Sequence, residues 1–448
     1  MQRVLAVLAR TGHGDGVSFS SRWLRWTKRA FIGVAGCLAL GPVSAWAQIT
    51  FTRVADNSTV APDGTLFSGQ FGISPAIDGT NVVFSAGSER YLPAMVKVNN
   101  DMGVYRWDGH GLTTVADANT PVPGAPGESM AGMSFNSVAI SGTEVAFSAR
   151  STSDPLRSGV FATFNGALKT LATTNTPVPG GSGTFTSFGR VARSGDNVAF
   201  ANAQIRNRSG AWGRDLQYQA SGIYMSQGGG AVTKVVDETT KMPGKTSTFT
   251  GLYDSIDING VNVAFVAWMD VYVADDSGIA RRNTSSFLYP QVGVSLDGAD
   301  VAFGDNYLCA WLDGTVQRLA LGNATNGDRY FSLIDRNPSI DNRTIVFGGK
   351  VTGAMGTGYD LCDLGGIYMW RDGEISKVID VNDTLDGKAL ANLHTGPDSL
   401  SGDNIAFHVQ FKDGTEGIYV ATVPEPGAAM LLAGGVAVLG LGARRRRS

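Results

Sequence analysis

The stretch SGTEVAFSA, residues 141–149, decides the fold. It joins a tight turn to a short apolar strand that ends in Phe. The same pattern recurs as DGTNVVFSA (78–86), SGDNVAFAN (194–202), NGVNVAFVA (259–267), DGADVAFGD (297–305), DNRTIVFGG (341–349) and SGDNIAFHV (401–409), seven copies in all. Ser-Gly, Asp-Gly, Asn-Gly and Asp-Asn tolerate the positive φ that such turns require. A second short strand lies just upstream, SVAI at 137–140 and SIDI at 255–258, so each copy reads as a hairpin.

A second pattern precedes each hairpin: Gly-(Val/Ile)-Tyr, a turn, and a strand ending in Val-x-Asp. It reads GVYRWDGHGLTTVAD (103–117), GIYMSQGGGAVTKVVD (222–237) and GIYMWRDGEISKVID (366–380), with looser forms at 159–173, 307–321 and 271–283. Each unit therefore holds four strands. The 376 residues from Gln48 to Val423 divide into units of about 54. Four-stranded antiparallel units at this period fit propeller blades better than a solenoid or paired sandwiches. The ends complement each other, because residues 50–56 open on a later strand of a unit whose missing strand is 417–421. Pairing them closes a circle and removes exposed edges. The expectation is an all-β, seven-bladed β-propeller. Six or eight blades also fit, because the fifth unit (271–306) is short. The 59 glycines then serve the many turns, and the recurrent Phe fills the space between blades.

Both ends read as targeting segments around this body, giving domains 1–47, 48–423 and 424–448. Arg22, Arg25, Lys28 and Arg29 precede an apolar run from Ala30 to Leu40. Ala45-Trp46-Ala47 follows as a signal-peptidase site, with Gln48 as first mature residue. Cys37 sits in a lipobox-like Val-Ala-Gly-Cys, but the apolar stretch before it is short. At the far end, Val423-Pro424-Glu425-Pro426 leads into an apolar stretch from Gly427 to Ala443, then Arg444, Arg445, Arg446 and Arg447. The apolar stretch is just long enough for a transmembrane helix, and the arginines would stay cytoplasmic.

These three C-terminal parts closely resemble the PEP-CTERM sorting signal of Gram-negative bacteria that make extracellular polysaccharide. The resemblance covers residues 423–448 only. It implies export, transient anchoring in the inner membrane, cleavage by an exosortase, and a final place at the cell surface or in the matrix. It leaves the role of the body open.

Charge sharpens that picture. The whole chain carries a net charge of −3, whereas residues 48–423 hold 26 Lys+Arg against 37 Asp+Glu, a net of −11. An acidic body is unsuited to nucleic acid or anionic membrane.

No metalloprotease, nucleophile-elbow, P-loop or EF-hand motif is present. His110, His394 and His408 belong to separate segments and read as surface or strand residues. Cys309 and Cys362 are the cysteines of the mature chain and form a candidate disulfide in an oxidising compartment. Asp56, Asp117, Asp237 and Asp380 recur after the Val-x-Asp strands; they can offer oxygen to Ca²⁺ or glycan hydroxyls, but an Asx-turn explains them better. No cofactor is required. Trp107, Trp212, Trp311 and Trp370 are candidate sugar-stacking residues. The sequence thus favours a non-catalytic binding or structural component associated with extracellular polysaccharide or biofilm. The alternative is a propeller glycosidase or polysaccharide lyase, which three or more charged groups converging at the channel mouth would favour.

Overall fold

The computed structural model describes residues 48–424, apart from 92–96, 132, 152–157, 208–215, 269, 284–292, 305–306, 322–324, 327–328, 335–336 and 352–364. Gln48–Pro424 forms one compact unit. The signal-peptide, lipobox and sorting-tail readings otherwise lie outside the described residues. Among the described residues no helix is long and apolar enough to cross a membrane.

The body is all-β. Among the described residues, pairing groups the strands into seven antiparallel four-stranded units, each a meander of consecutive strands. The second is Met133–Ser141, Glu144–Ser151, Ser158–Phe164 and Ala167–Thr173. The last is completed by the N-terminus, as Leu400–Ser401, Asn404–Phe411, Glu416–Thr422 and then Thr50–Asp56. Thr52 lies opposite Val420 and Phe51 opposite Ala421 in that closing pair.

The two sequence patterns meet inside each unit. The repeated Phe is wholly buried in every copy: Phe84, Phe147, Phe200, Phe265, Phe303, Phe347 and Phe407. Opposite it on the third strand stands the aromatic of the Gly-x-Tyr pattern, as in Phe200↔Tyr224 and Phe347↔Tyr368. The fifth unit instead sets Cys309 opposite Phe303. The glycine has a steric reason. A Cβ on Gly222 would sit 2.6 Å from Tyr224 Oη, and one on Gly159 2.8 Å from Phe161 Cζ. The aromatic ring folds back over its own strand, and only glycine leaves room.

The innermost strands are edges, and the neighbouring unit satisfies them with side chains. In six of the seven units the residue before the turn accepts from the next unit's turn N–H. Asp78 Oδ2 accepts from Gly142 (2.6 Å), Ser141 Oγ from Gly195 (3.0 Å) and Ser194 Oγ from Gly260 (2.8 Å). Asp297 Oδ2 accepts from Asn342 (2.7 Å), Asp341 Oδ2 from Gly402 (2.5 Å) and Ser401 Oγ from Gly79 (2.9 Å). The last bond returns to the first unit, so the arrangement is propeller-like and closed.

Three features depart from the repeat. The strand pairs Thr325–Asn326 with Arg329–Ile334, and Thr384–Leu385 with Lys388–His394, are insertions that the sequence pattern did not signal. The third and fourth units merge into one sheet through Gln219↔Tyr253 and Ala220↔Leu252. The second and third strands of the first and third units are also long, at 11 residues each. Each such hairpin ends on the side where its innermost strand begins, because the meander is antiparallel.

Candidate functional site

The innermost strands begin around a central cavity of about 330 Å³. Its wall includes Ser74, Ser137, Arg150, Arg190, Asp254, Asn337 and Asp398, contributed by six units.

Local sequence explains how charge arrives there. Counting back from the turn, alternate residues of an innermost strand reach toward the next unit. Two places before the pre-turn residue, Ser295 and Ser339 accept from Ile340 N–H (3.2 Å) and Leu400 N–H (3.0 Å). Asp257 occupies this place in the fourth unit and accepts from Leu296 N–H at 2.6 Å. The other four units have Ala76, Ala139, Ala192 and Ser399 there. A serine suffices for the backbone bond. Asp257 buries a carboxyl group that the belt does not require.

That carboxyl meets a second one. Asp398, three residues before Ser401, hydrogen-bonds Asp257 across the channel. Asp257 also accepts from its neighbour Ile258 N–H at 2.7 Å. Burial first, and the Asp398 charge second, push Asp257 far above the usual carboxylate range. Burial raises Asp398 as well, with the Arg190 charge pulling the other way. Neighbouring carboxyls disfavour each other's ionisation.

Arg190 and Asp254 complete the set. Arg190 Nη2 lies 3.8 Å from Asp398 Oδ2, and Arg190 backbone N–H donates to Asp254 Oδ1 at 2.6 Å. The Arg190 Nε is enclosed without an acceptor among the described residues. Asp254 borders the cavity, and burial pushes it up to about 6 against the pull of Arg190. A Cβ on the adjacent Gly189 would fall 2.3 Å from both Asp254 oxygens, so glycine lets the carboxylate close on the backbone. The cavity thus presents carboxyl groups raised by burial beside a guanidinium, a set able to donate and accept hydrogen bonds and to exchange protons.

The residues singled out in the sequence lie elsewhere. Asp56, Asp117 and Asp237 each spend Oδ1 on their own turn, accepting from Ser58 N–H (2.9 Å), Asn119 N–H (2.9 Å) and Thr239 N–H (3.0 Å). Asp380 accepts from Asn382 N–H at 2.9 Å. Among the described residues no group of three His, Cys, Asp or Glu is placed to hold a metal ion. Trp107, Trp311 and Trp370 are partly buried against apolar clusters, and Trp311 lies under the Arg282 guanidinium. They are wall residues rather than platforms. Trp212 lies outside the described residues. So does Cys362, so the disulfide proposed with the buried Cys309 falls beyond them.

His110 sits in an exposed turn. His394 and His408 face each other on paired strands with ring centroids 5.6 Å apart, and His408 Nε2 lies 3.3 Å from Glu416 Oε2. The sequence reading missed this pair and the channel cluster, whose members come from separate units. Aligning the hairpins on their turns would have exposed Asp257 as the one carboxylate at a serine or alanine place.

A family model described as a family of unknown function (DUF7453) matches residues 43–303. The PEP-CTERM protein-sorting motif matches residues 422–447. It marks an exported protein of Gram-negative bacteria that is sorted by an exosortase after transient membrane anchoring. No curated protein matches the chain. Among solved structures, the β-propeller domain of the Trilobed protease from Pyrococcus furiosus is similar at 12% identity and a TM-score of 0.30, over 70% of this chain and 99% of that one. A puromycin-hydrolyzing peptidase from Mycobacterium tuberculosis is similar at 12% identity and TM-score 0.38, over 81% of this chain and 52% of that one. Trypanosoma rangeli sialidase is similar at 11% identity and TM-score 0.34, over 88% of this chain and 62% of that one. The chain therefore spans about half to three fifths of those two enzymes.

Proposed function

Because this chain belongs to the DUF7453 family and carries a PEP-CTERM sorting motif, we propose its role from its own geometry: an exported seven-bladed β-propeller that binds a polar ligand of the cell surface or matrix in its central cavity. The seven four-stranded units and the closing Thr50–Asp56 strand support the blade count. One observation carries the function. Arg190, Asp254 and Asp398 come from three units and meet in one cavity, and Asp257 backs them where a serine would serve the fold. Such a mixed set suits hydroxyl-rich ligands, and the destination implied by the sorting signal makes extracellular polysaccharide the ligand class.

Val423 fits the reading of the tail. It opens the sorting signature, yet it is buried in the closing unit's core and donates its N–H to Asp403 O at 2.8 Å. The folded body extends to within one residue of the Pro-Glu-Pro.

The enzymatic alternative gains from the same cluster, since three carboxyls and an arginine are what a channel-mouth glycosidase would need. A raised Asp257–Asp398 pair can donate a proton, and Asp254 can accept one. One experiment separates the readings. The exported protein is titrated with the host's polysaccharide while new reducing ends and unsaturated products are assayed. Saturable binding without products supports the binding role. Products that vanish in Asp254→Asn support the enzyme. No binding and no products would overturn both.

A further inference from the structure

Trp268 is 55% exposed and adopts φ +57°. Among the described residues the other non-glycine residues with positive φ are Asn165, Asp313, Asn342, Arg343, Asp372 and Asp386, mostly the Asn and Asp that tolerate this region. A bulky aromatic does not tolerate it, and exposure forfeits the burial that would offset the strain. Trp268 is nonetheless held firmly. Its backbone N–H donates to Gly251 O at 2.8 Å, and its indole Nε1–H donates to Thr250 Oγ1 at 2.6 Å. The ring lies over Gly251, where an added Cβ would meet Cδ1 and Nε1 at 3.5 Å. One face is therefore backed by main chain and the indole donor is already used. What remains on offer is a flat apolar surface.

Its place is the side on which the cavity opens. Trp268 follows the second strand of the fourth unit (Asn262–Ala267), which returns to the start of the innermost strand (Leu252–Asn259). Asp254 of the cavity lies three residues beyond Gly251, at most about 11 Å along the chain.

We propose that Trp268 is a stacking platform for a pyranose ring, continuous with the central cavity and forming with it a subsite for a neutral oligosaccharide. A pyranose has an apolar C–H face and a rim of hydroxyls. The indole suits the face, while Arg190, Asp254, Asn337 and Asp398 suit the rim. Arg150 and Arg190 balance the two lining carboxylates in formal charge, which favours a neutral ring over a cation drawn to the indole.

This inference rests on the cavity being a ligand site, and its test separates the two. Neutral gluco-, galacto- and manno-oligosaccharides are titrated into the exported protein, with affinity read by calorimetry and the indole signal by fluorescence. One series should bind and quench. Trp268→Ala should weaken it roughly tenfold, and Trp268→Phe should recover most of that loss. Trp268→Gly, which suits the positive φ, should melt no lower than the native protein and still lose affinity. Unchanged binding in Trp268→Ala, with binding abolished in Asp254→Asn, would overturn the platform and leave the cavity standing. Loss in Trp268→Ala with none in Asp254→Asn would overturn the continuity of the two. Failure of every neutral series, or binding of cationic saccharides alone, would overturn the proposal.

Discussion

The backbone N–H of Gly79 donates to Ser401 Oγ at 2.9 Å, across 322 positions of sequence. Asn404 Nδ2 reinforces the junction by donating to Gly79 O at 3.1 Å. These bonds join the last unit to the first, beside the strand pair that completes the circle. Deleting residues 416–422 should therefore lower the urea midpoint of the whole body in one transition. An open array would lose only its terminal unit and keep a native-like second transition. Ser401→Ala should cost about 1 kcal/mol by itself.

Gly222 and Tyr224 give a local test of the unit. Gly222→Ala pushes a methyl group into the Tyr224 ring and should cost about 1–3 kcal/mol in denaturant unfolding. Tyr224→Leu removes the obstacle and leaves a partly filled core. The double variant should be more stable than the sum of the two single losses predicts. Strict additivity would show that the ring does not require the glycine.

The repeat was legible because its signals are local. Turn pairs, a following Phe and the Gly-x-Tyr strand all lie within a few residues of one another, and packing then follows from strand alternation. The closing pair was legible because Thr50–Asp56 opens the body as a later strand with no earlier strand before it, and residues 417–421 at the far end supply the strand it lacks. The site was not legible, since Arg190, Asp254 and Asp398 become neighbours only when the ring closes. Trp268 was overlooked for a related reason. Its exposure depends on a backbone conformation that its residue type does not announce, while Trp107 and Trp370 lie within the repeat pattern and pack there.

Asp257 distinguishes a structural belt from a functional site. Asp257→Ser keeps an acceptor for Leu296 N–H and removes a buried carboxyl, as Ser295 and Ser339 already do in their units. Stability at neutral pH should rise by about 1–2 kcal/mol, while ligand affinity or turnover falls. A destabilised variant with unchanged function would make Asp257 a belt residue only.

Two groups should set opposing pH dependences. Burial raises Asp254 to about 6, above its unfolded value of 3.8, so its carboxylate destabilises the fold as pH climbs through that interval. The penalty is absent below 3.8 and complete above about 6. Burial, with help from the His408 charge, lowers His394 to about 4 from 6.5. Its neutral form supports the fold fully above 6.5, and that support is lost as pH falls toward 4. Each shift corresponds to about 3 kcal/mol, and the two oppose each other between pH 4 and 6. Melting temperatures across pH 3.5–8 should reveal this in differences between proteins, where all other titrations cancel. Relative to the native protein, Asp254→Asn should gain stability above pH 6 and none near pH 3.5. His394→Gln should lose the acid sensitivity instead, gaining relative stability as the pH drops below 6. Parallel curves for Asp254→Asn and the native protein would mean that Asp254 titrates as an ordinary surface carboxylate, and that the channel is wetter than its enclosure implies.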